Sequence, residues 1–426
     1  MIPFALMLLM IAVAPLVAPK FWESNRNKLI CTLIVAVPTA IYLICAGMGH
    51  NLSHQIFGDY IPFIVLLLSL FVVTGGIQIK GDVVASPIMN SFILAVGFIL
   101  ASFMGTTGAA MLLIRPLLEI NKQRTRKTHI VLFFIAMVAN AGGVLSPLGD
   151  PPLFLLYLRG APFGWFMSLA PAWIFVGVCL LVIFAIWDTI EYRKEPKSAI
   201  KADMSEISPL RIKGRINFIW LACIIAAVIF LNEHYIPAMS DPDAFFAVKY
   251  LREIALVAII ALSWITTKAS VRKGNDFSWA PISEVAILFI GIFTTMTPAL
   301  MFLNQNAASM GLTQPWQFFY STGLLSSFLD NSPTAVAFHS VACGIDLSAF
   351  EGVPFVAGIP EPLLAAISLG AVFFGAMTYI GNGPNFMVKA IAEERGIKMP
   401  SFFGYIGKFS LIVLLPVYIL AQLLFL

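Results

Sequence analysis

The sequence predicts an all-α polytopic membrane protein. It reads as an inverted repeat in which each half carries five transmembrane helices, one of them broken, and one re-entrant hairpin. Three observations carry this reading. Of 426 residues, 59% are hydrophobic and 11% charged, against roughly 25% charged in a soluble globular chain. Apolar runs of near-crossing length follow one another from end to end. Two helix-breaking motifs, each with a lone carboxylate, interrupt such runs, one per half: Ser146 to Pro152 around Asp150, and Leu329 to Thr334 around Asp330.

A helix needs roughly 20 residues to cross a bilayer. In the first half, runs of about that length or longer occupy 2–18, 29–48, 60–79, 129–158 and 167–190; in the second, 216–235, 249–266, 281–301, 362–394 and 401–426. Ala14 to Ala18 loosely resembles a cleavage region, but no basic residue precedes the first apolar run, so it reads as a first transmembrane helix. The stretches 88–121 and 316–345 are too long for one crossing, and each is broken in the middle. They read as hairpins that return to the side they entered from. Residues 191–215 form the only long polar segment, read as a plain solvated cytoplasmic linker between a first repeat (1–190) and a second (216–426).

Charge supports this threading. Basic clusters occur at Lys20/Arg26/Lys28, Lys122/Arg124/Arg126/Lys127, across the linker, at Lys268/Arg272/Lys273 and at Lys389/Arg395/Lys398. All fall on one side only if 88–121 and 316–345 do not cross. The positive-inside rule then puts that side in the cytoplasm and the N-terminus outside, with the first hairpin entering from the cytoplasm and the second from outside. The loop 346–361 bears Asp346, Glu351 and Glu361 and no basic residue. Arg159, Lys249 and Arg252 are exceptions to the pattern. The expected location is the inner cell membrane.

The repeat also shows in residues. Phe103 to Ala110 aligns without gaps with Phe328 to Ala335, and Gly149 to Phe154 with Gly381 to Phe386. Asp330 then stands where the first hairpin has Gly105, and Asp150 where the second broken helix has Asn382. Gly and Pro stop a helix and free its backbone groups. Half-helix ends offer dipoles, and Ser, Thr and Asn add neutral oxygens. An acidic group near mid-bilayer is a functional-site hypothesis by default. The candidate cation- and proton-binding set is therefore Asp150, Asp330, Asn331, Ser332, Thr334, Ser146, Thr106, Thr107, Asn382 and Asn385, with Asp150 and Asp330 as the hypothesised sodium ligands. The bland alternative is that either Asp merely caps a half-helix. Asn140 reads equally as a helix–helix contact, Arg115 as an i,i+4 partner of Glu119 or a snorkelling cation, and His129 as interfacial.

The five cysteines sit singly in apolar runs. No P-loop, HExxH or haem motif appears, so nothing supports ATP-driven transport, metallohydrolase chemistry or a cofactor. No nucleic-acid partner is expected. A membrane enzyme built on the Asp pair lacks a nucleophile or metal set.

Gly105 to Pro116, Ser146 to Pro152, Leu329 to Thr334 and Gly375 to Phe386 resemble the ion transporter superfamily, in its NhaD-like sodium/proton antiporter and citrate-transport branch. The resemblance implies a homodimer of elevator transporters, each with a scaffold and a moving transport domain. The hairpin tips, Gly-Thr-Thr and Asp-Asn-Ser-Pro-Thr, depart from the Ser-Asn-Thr motifs of the dicarboxylate branch. Two readings follow: a sodium/proton antiporter, in which Asp150 and Asp330 share a site for which the ions compete, and a cation-coupled transporter of citrate or a dicarboxylate.

Overall fold

The computed structural model describes residues 1–205, 207–241 and 243–426. The chain is an all-α polytopic membrane protein, with two short two-stranded sheets besides its helices. Among the described residues, seven helices are long and apolar enough to cross a bilayer. Shorter apolar helices, such as Ile216–Phe230 and Glu361–Met377, accompany them.

Both apolar stretches that are too long for one crossing fold back on themselves. The first is Pro87–Met104 followed by Thr106–Ile120. Gly105 turns between them at φ 79°, a left-handed conformation that glycine adopts without Cβ strain. The arms stay together to their base: Asn90 and Asn121 exchange side-chain amide hydrogen bonds of 3.0 and 2.8 Å. The second pair is Pro315–Phe328 and Asn331–Ala342, turning at Leu329 and Asp330.

The two hairpins reach opposite ends of helix Ala280–Gln305: Arg115 in the first donates to the Asn275 carbonyl just before its start, and Ser340 in the second to the Leu300 carbonyl. Near the base of the first, Lys122 pairs with Asp82 (3.1 Å), Arg395 with Glu119 (3.0 Å), and Thr128 donates to the Lys398 carbonyl. Asn25, beside the first basic cluster, donates to the Ala280 carbonyl at the start of helix Ala280–Gln305. That helix has 26 residues, so it runs roughly 39 Å. At its far end Ser340, near the base of the second hairpin, donates to the Leu300 carbonyl, and Asn304 donates to the Ser340 carbonyl. The cluster at Lys122 and the cluster at Arg395 and Lys398 thus meet at the base of the first hairpin. Two of the exceptions, Arg159 and Arg252, contact carboxylates (Asp59 at 3.5 Å, Glu253 at 2.6 Å), which weakens them as topological signals.

Three expectations are corrected. The third helix ends at Thr74, and residues 78–82 form a strand instead of prolonging it. The segment 191–215 is not a plain solvated loop. It contains helix Lys197–Ser205 and strand Ser208–Lys213, which pairs antiparallel with Gln78–Asp82. Glu195 accepts from the Thr125 and Arg126 amides, and Asp203 from the Ala85 amide. A run of polar residues offers backbone and carboxylate groups that satisfy the loops at the hairpin base. Finally, His129 is buried, not interfacial: its Nε2 lies 2.8 Å from Asp188, which also meets Arg124.

Both predicted broken helices are present. The first runs Thr128–Met137, a short 3-10 stretch Ala141–Leu145, an irregular segment 146–150, then Pro151–Leu158. The second runs Glu361–Phe374, a short 3-10 stretch Gly375–Met377, an irregular segment 378–382, then Gly383–Glu394.

Candidate functional site

Each break folds the same way locally. Ser146 and Thr378 are extended (φ −151°, ψ 160° and φ −139°, ψ 168°). Four residues later Asp150 and Asn382 are extended too (φ −143°, ψ 141° and φ −149°, ψ 141°), each as the N-cap of a half-helix that begins with proline in its first turn. Proline suits that position because its missing N–H would lack an intrahelical partner anyway. Gly149 packs so closely on the Gly143 carbonyl that no Cβ fits, and Gly381 meets the Gly375 carbonyl likewise.

Asp150 is the hub. It is 1% exposed. Its Oδ1 accepts from Thr106 Oγ1 (2.7 Å) and Asn382 Nδ2 (3.1 Å), and its Oδ2 from Asn331 Nδ2 (2.5 Å). Thr106 and Asn331 are the residues just past the two hairpin tips. One carboxylate therefore joins both hairpins and both breaks. The Thr106 amide also donates to the Gly149 carbonyl (2.8 Å).

Asp330 sits one residue away along the chain from Asn331. It is half-buried, and its Oδ1 caps its own half-helix by accepting from the Ser332 amide (2.9 Å). The capping role weighed from the sequence is thus observed for Asp330, whereas Asp150 takes its three bonds from side chains. Thr334 donates to the Asp330 carbonyl, and Ser332 Oγ to Asn331 Oδ1. Thr107 is half-buried beside Thr106. Ser146 donates to the Ser102 carbonyl.

Asn385 lies one layer behind the hub. Asn140 donates to Asn385 Oδ1 (2.7 Å) and its Oδ1 accepts from Asn382 (3.2 Å), while Asn385 donates to the Gly375 and Thr378 carbonyls. Asn140 is thus a full member of the network that Asp150 anchors, a role the sequence left level with a plain helix contact. Ser102, Ser327 and Thr378 were missed altogether. A signal existed, because extending the hairpin alignment one residue upstream pairs Ser102 with Ser327. Arg115 lies outside the network and does not pair with Glu119. It donates to the Asn275 carbonyl (2.9 Å) and lies 3.5 Å from Asp276, while Glu119 meets Lys122 and Arg395.

Among the described residues no group of three or more His, Cys, Asp or Glu is placed to hold a metal ion. The hydrogen bonds to Asp150 come only from neutral groups. A buried carboxylate surrounded by neutral donors in a polytopic helical protein, where two hairpins and two breaks meet, is the architecture of a membrane transporter site. The whole chain, residues 1–426, matches the family described as "Putative citrate transport". The protein belongs to that family and is a membrane transporter, not an enzyme. Comparison with curated proteins gave no match.

Proposed function

We propose that this protein is a secondary active transporter that exchanges sodium for protons at Asp150, with Asp330 as the second acid of the site. One observation carries the reading: Asp150 is buried and accepts three hydrogen bonds, none from a basic side chain. A buried charge needs a compensating partner. Either a proton or a hard cation supplies it, and the two exclude each other, so loading one expels the other. Asp330, separated from Asp150 by the Asn331 side chain, adds a carboxylate to the same region. Sodium takes oxygen ligands, which Thr106 and the carbonyls freed at the breaks offer in addition.

The halves would form an inverted repeat (1–190 and 216–426, joined by 191–215), and the protein would act as an elevator-type homodimer in the inner cell membrane with its N-terminus outside. The matched backbone of the two breaks supports the repeat. Because Asp150 bonds to both hairpins and one of its donors belongs to the second break, these parts would have to move as one body to keep an ion coordinated. The test is flux in proteoliposomes. A sodium gradient should drive proton movement, read by a pH-sensitive dye, without citrate. Proton movement indifferent to sodium would end the antiport reading.

A second reading, cation-coupled citrate transport, has its own support. The family description points to citrate. Four half-helices also begin at the site: Thr106–Ile120, Pro151–Leu158, Asn331–Ala342 and Gly383–Glu394. Helix N-termini carry partial positive charge and attract anions. Labelled citrate uptake into the same vesicles, with and without sodium, separates the two readings.

A further inference from the structure

We propose that Ser146 and Thr378 are positioning residues. Each staples the helix break of its half to the hairpin of that half, and neither contacts the transported species. The inference rests on the reading of the Asp150 network as the transport site.

In both halves the staple donates to the hairpin carbonyl and accepts from the amide two residues on. Ser146 Oγ donates to the Ser102 carbonyl and accepts from the Leu148 amide (3.1 Å). Thr378 Oγ1 donates to the Ser327 carbonyl and accepts from the Ile380 (3.2 Å) and Gly381 (3.1 Å) amides. Ser102 Oγ crosses back to the Gly142 carbonyl, and Ser327 Oγ shares its hydrogen between the Gly323 carbonyl of its own helix (2.9 Å) and the Phe374 carbonyl (3.2 Å). Ser102 and Ser327 stand three residues before Gly105 and Asp330, and Ser146 and Thr378 stand four before Asp150 and Asn382.

The physical need for these bonds is plain. The last four carbonyls of a helix lack intrahelical partners. Ser102 belongs to the last turn of Pro87–Met104, and Ser327 to that of Pro315–Phe328. Both residues are buried away from water. The staple hydroxyls satisfy these carbonyls and fix the distance from tip to break. A hydroxyl has one donor and two acceptor sites. Thr378 uses all three, which leaves it no lone pair for an ion. Ser146 uses its donor and one acceptor. Thr378 therefore acts on the site through the backbone, and Ser146, matched to it in position and in donor bond, is assigned the same role; that backbone carries Asp150 and Asn382 into contact with each other and with the tips.

The test uses the full-length protein in proteoliposomes. Ser146→Ala and Thr378→Val, the latter close to isosteric but lacking the hydroxyl, are compared with Thr378→Ser, which keeps it. Half-saturating sodium, maximal rate and the lithium-to-sodium ratio are read from proton flux. Losing one net hydrogen bond at a positioning group should raise half-saturation roughly three- to tenfold. The maximal rate should stay within about twofold and the ion ratio unchanged, and Thr378→Ser should restore the wild-type constant. An unchanged half-saturation in folded Ser146→Ala or Thr378→Val would overturn the proposal. So would a shifted ion ratio, which would make the hydroxyls direct ligands. If the hydroxyl-free variants fail to fold, loss of transport in Thr378→Ser overturns it. If the wild type carries citrate and shows no sodium–proton exchange, the antiport reading fails alone, and the same constants are read from citrate uptake.

Discussion

Replacing Asp150 by asparagine should stop transport and leave the fold standing, whereas replacing it by alanine should endanger the fold. The carboxylate has two donors at Oδ1 (Thr106 and Asn382) and one at Oδ2 (Asn331). The new amide would place its oxygen on the Oδ1 side, where two bonds are retained. Its NH2 would then face the Asn331 NH2, and Asn331 would turn its own amide over to accept. After that turn the Asn331 NH2 donates to Ser332 Oγ, which reverses the 3.3 Å bond and costs at most about 1 kcal/mol. Alanine instead orphans two buried donors, Thr106 Oγ1 and Asn331 Nδ2, at about 1–3 kcal/mol each, roughly 2–6 kcal/mol together, while Asn382 keeps the Ala139 carbonyl and Asn140 Oδ1 as acceptors. For transport the order reverses in interest, because asparagine keeps the shape and removes the charge. Losing a charged ligand worth about 3 kcal/mol lowers flux roughly 10²-fold. The assays are thermal unfolding in detergent and sodium-driven proton flux in proteoliposomes. Asp150→Asn should unfold within a few degrees of the wild type and be transport-dead. Sodium–proton exchange at near wild-type rate in this variant would refute the reasoning, because the carboxylate would then be only a structural acceptor.

Asp330→Asn should keep its half-helix, since asparagine caps about as well as aspartate, yet lose exchange; the check is flux alongside thermal unfolding. Asn140→Ala should weaken sodium-dependent transport by raising half-saturation, because it removes the bonds that hold the Asn382 and Asn385 amides; normal sodium titration would show the second layer to be dispensable. Burial alone would raise the Glu195 carboxyl, but bonds from Thr125 and Arg126 and the Arg124 charge hold it below its ordinary 4.5. Its contribution is therefore present above pH 4.5 and lost as pH falls through the depressed folded value. Glu195→Gln should speed hydrogen exchange at the Thr125 and Arg126 amides at pH 7, with the difference from wild type vanishing in acid; equal exchange at pH 7 would mean the contact anchors nothing. Cysteines introduced in 122–128 should be labelled only from the cytoplasm, and those in 346–361 only from outside; the converse would invert the assigned orientation.

How much of this was legible beforehand differs by kind of interaction. The hairpins and both broken helices follow from local rules. Gly105 turns the first hairpin, prolines open the half-helices that follow Asp150 and Asn382, apolar length sets what spans, and basic clusters sort the faces. The convergence of Thr106, Asp150, Asn331 and Asn382 was anticipated as a group, because an alignment of the halves places them at equivalent tips and breaks. Which of them bonds to which was not. Asn331 reaches Asp150 across 181 positions and Asn382 across 232, and residue types alone do not rank such partners. Packing decided that Asp150, not Asp330, became the hub, because Asp330 spends an oxygen on its own Ser332 amide. Packing also drew Asn140 into the network, sent Arg115 to the Asn275 carbonyl in place of Glu119, and folded the polar linker onto the strand Gln78–Asp82. Sequence by itself determined where this chain breaks and which groups it carries into the membrane. Tertiary structure decided their pairing, because a short-range hydrogen bond depends on positions that only the assembled helices define.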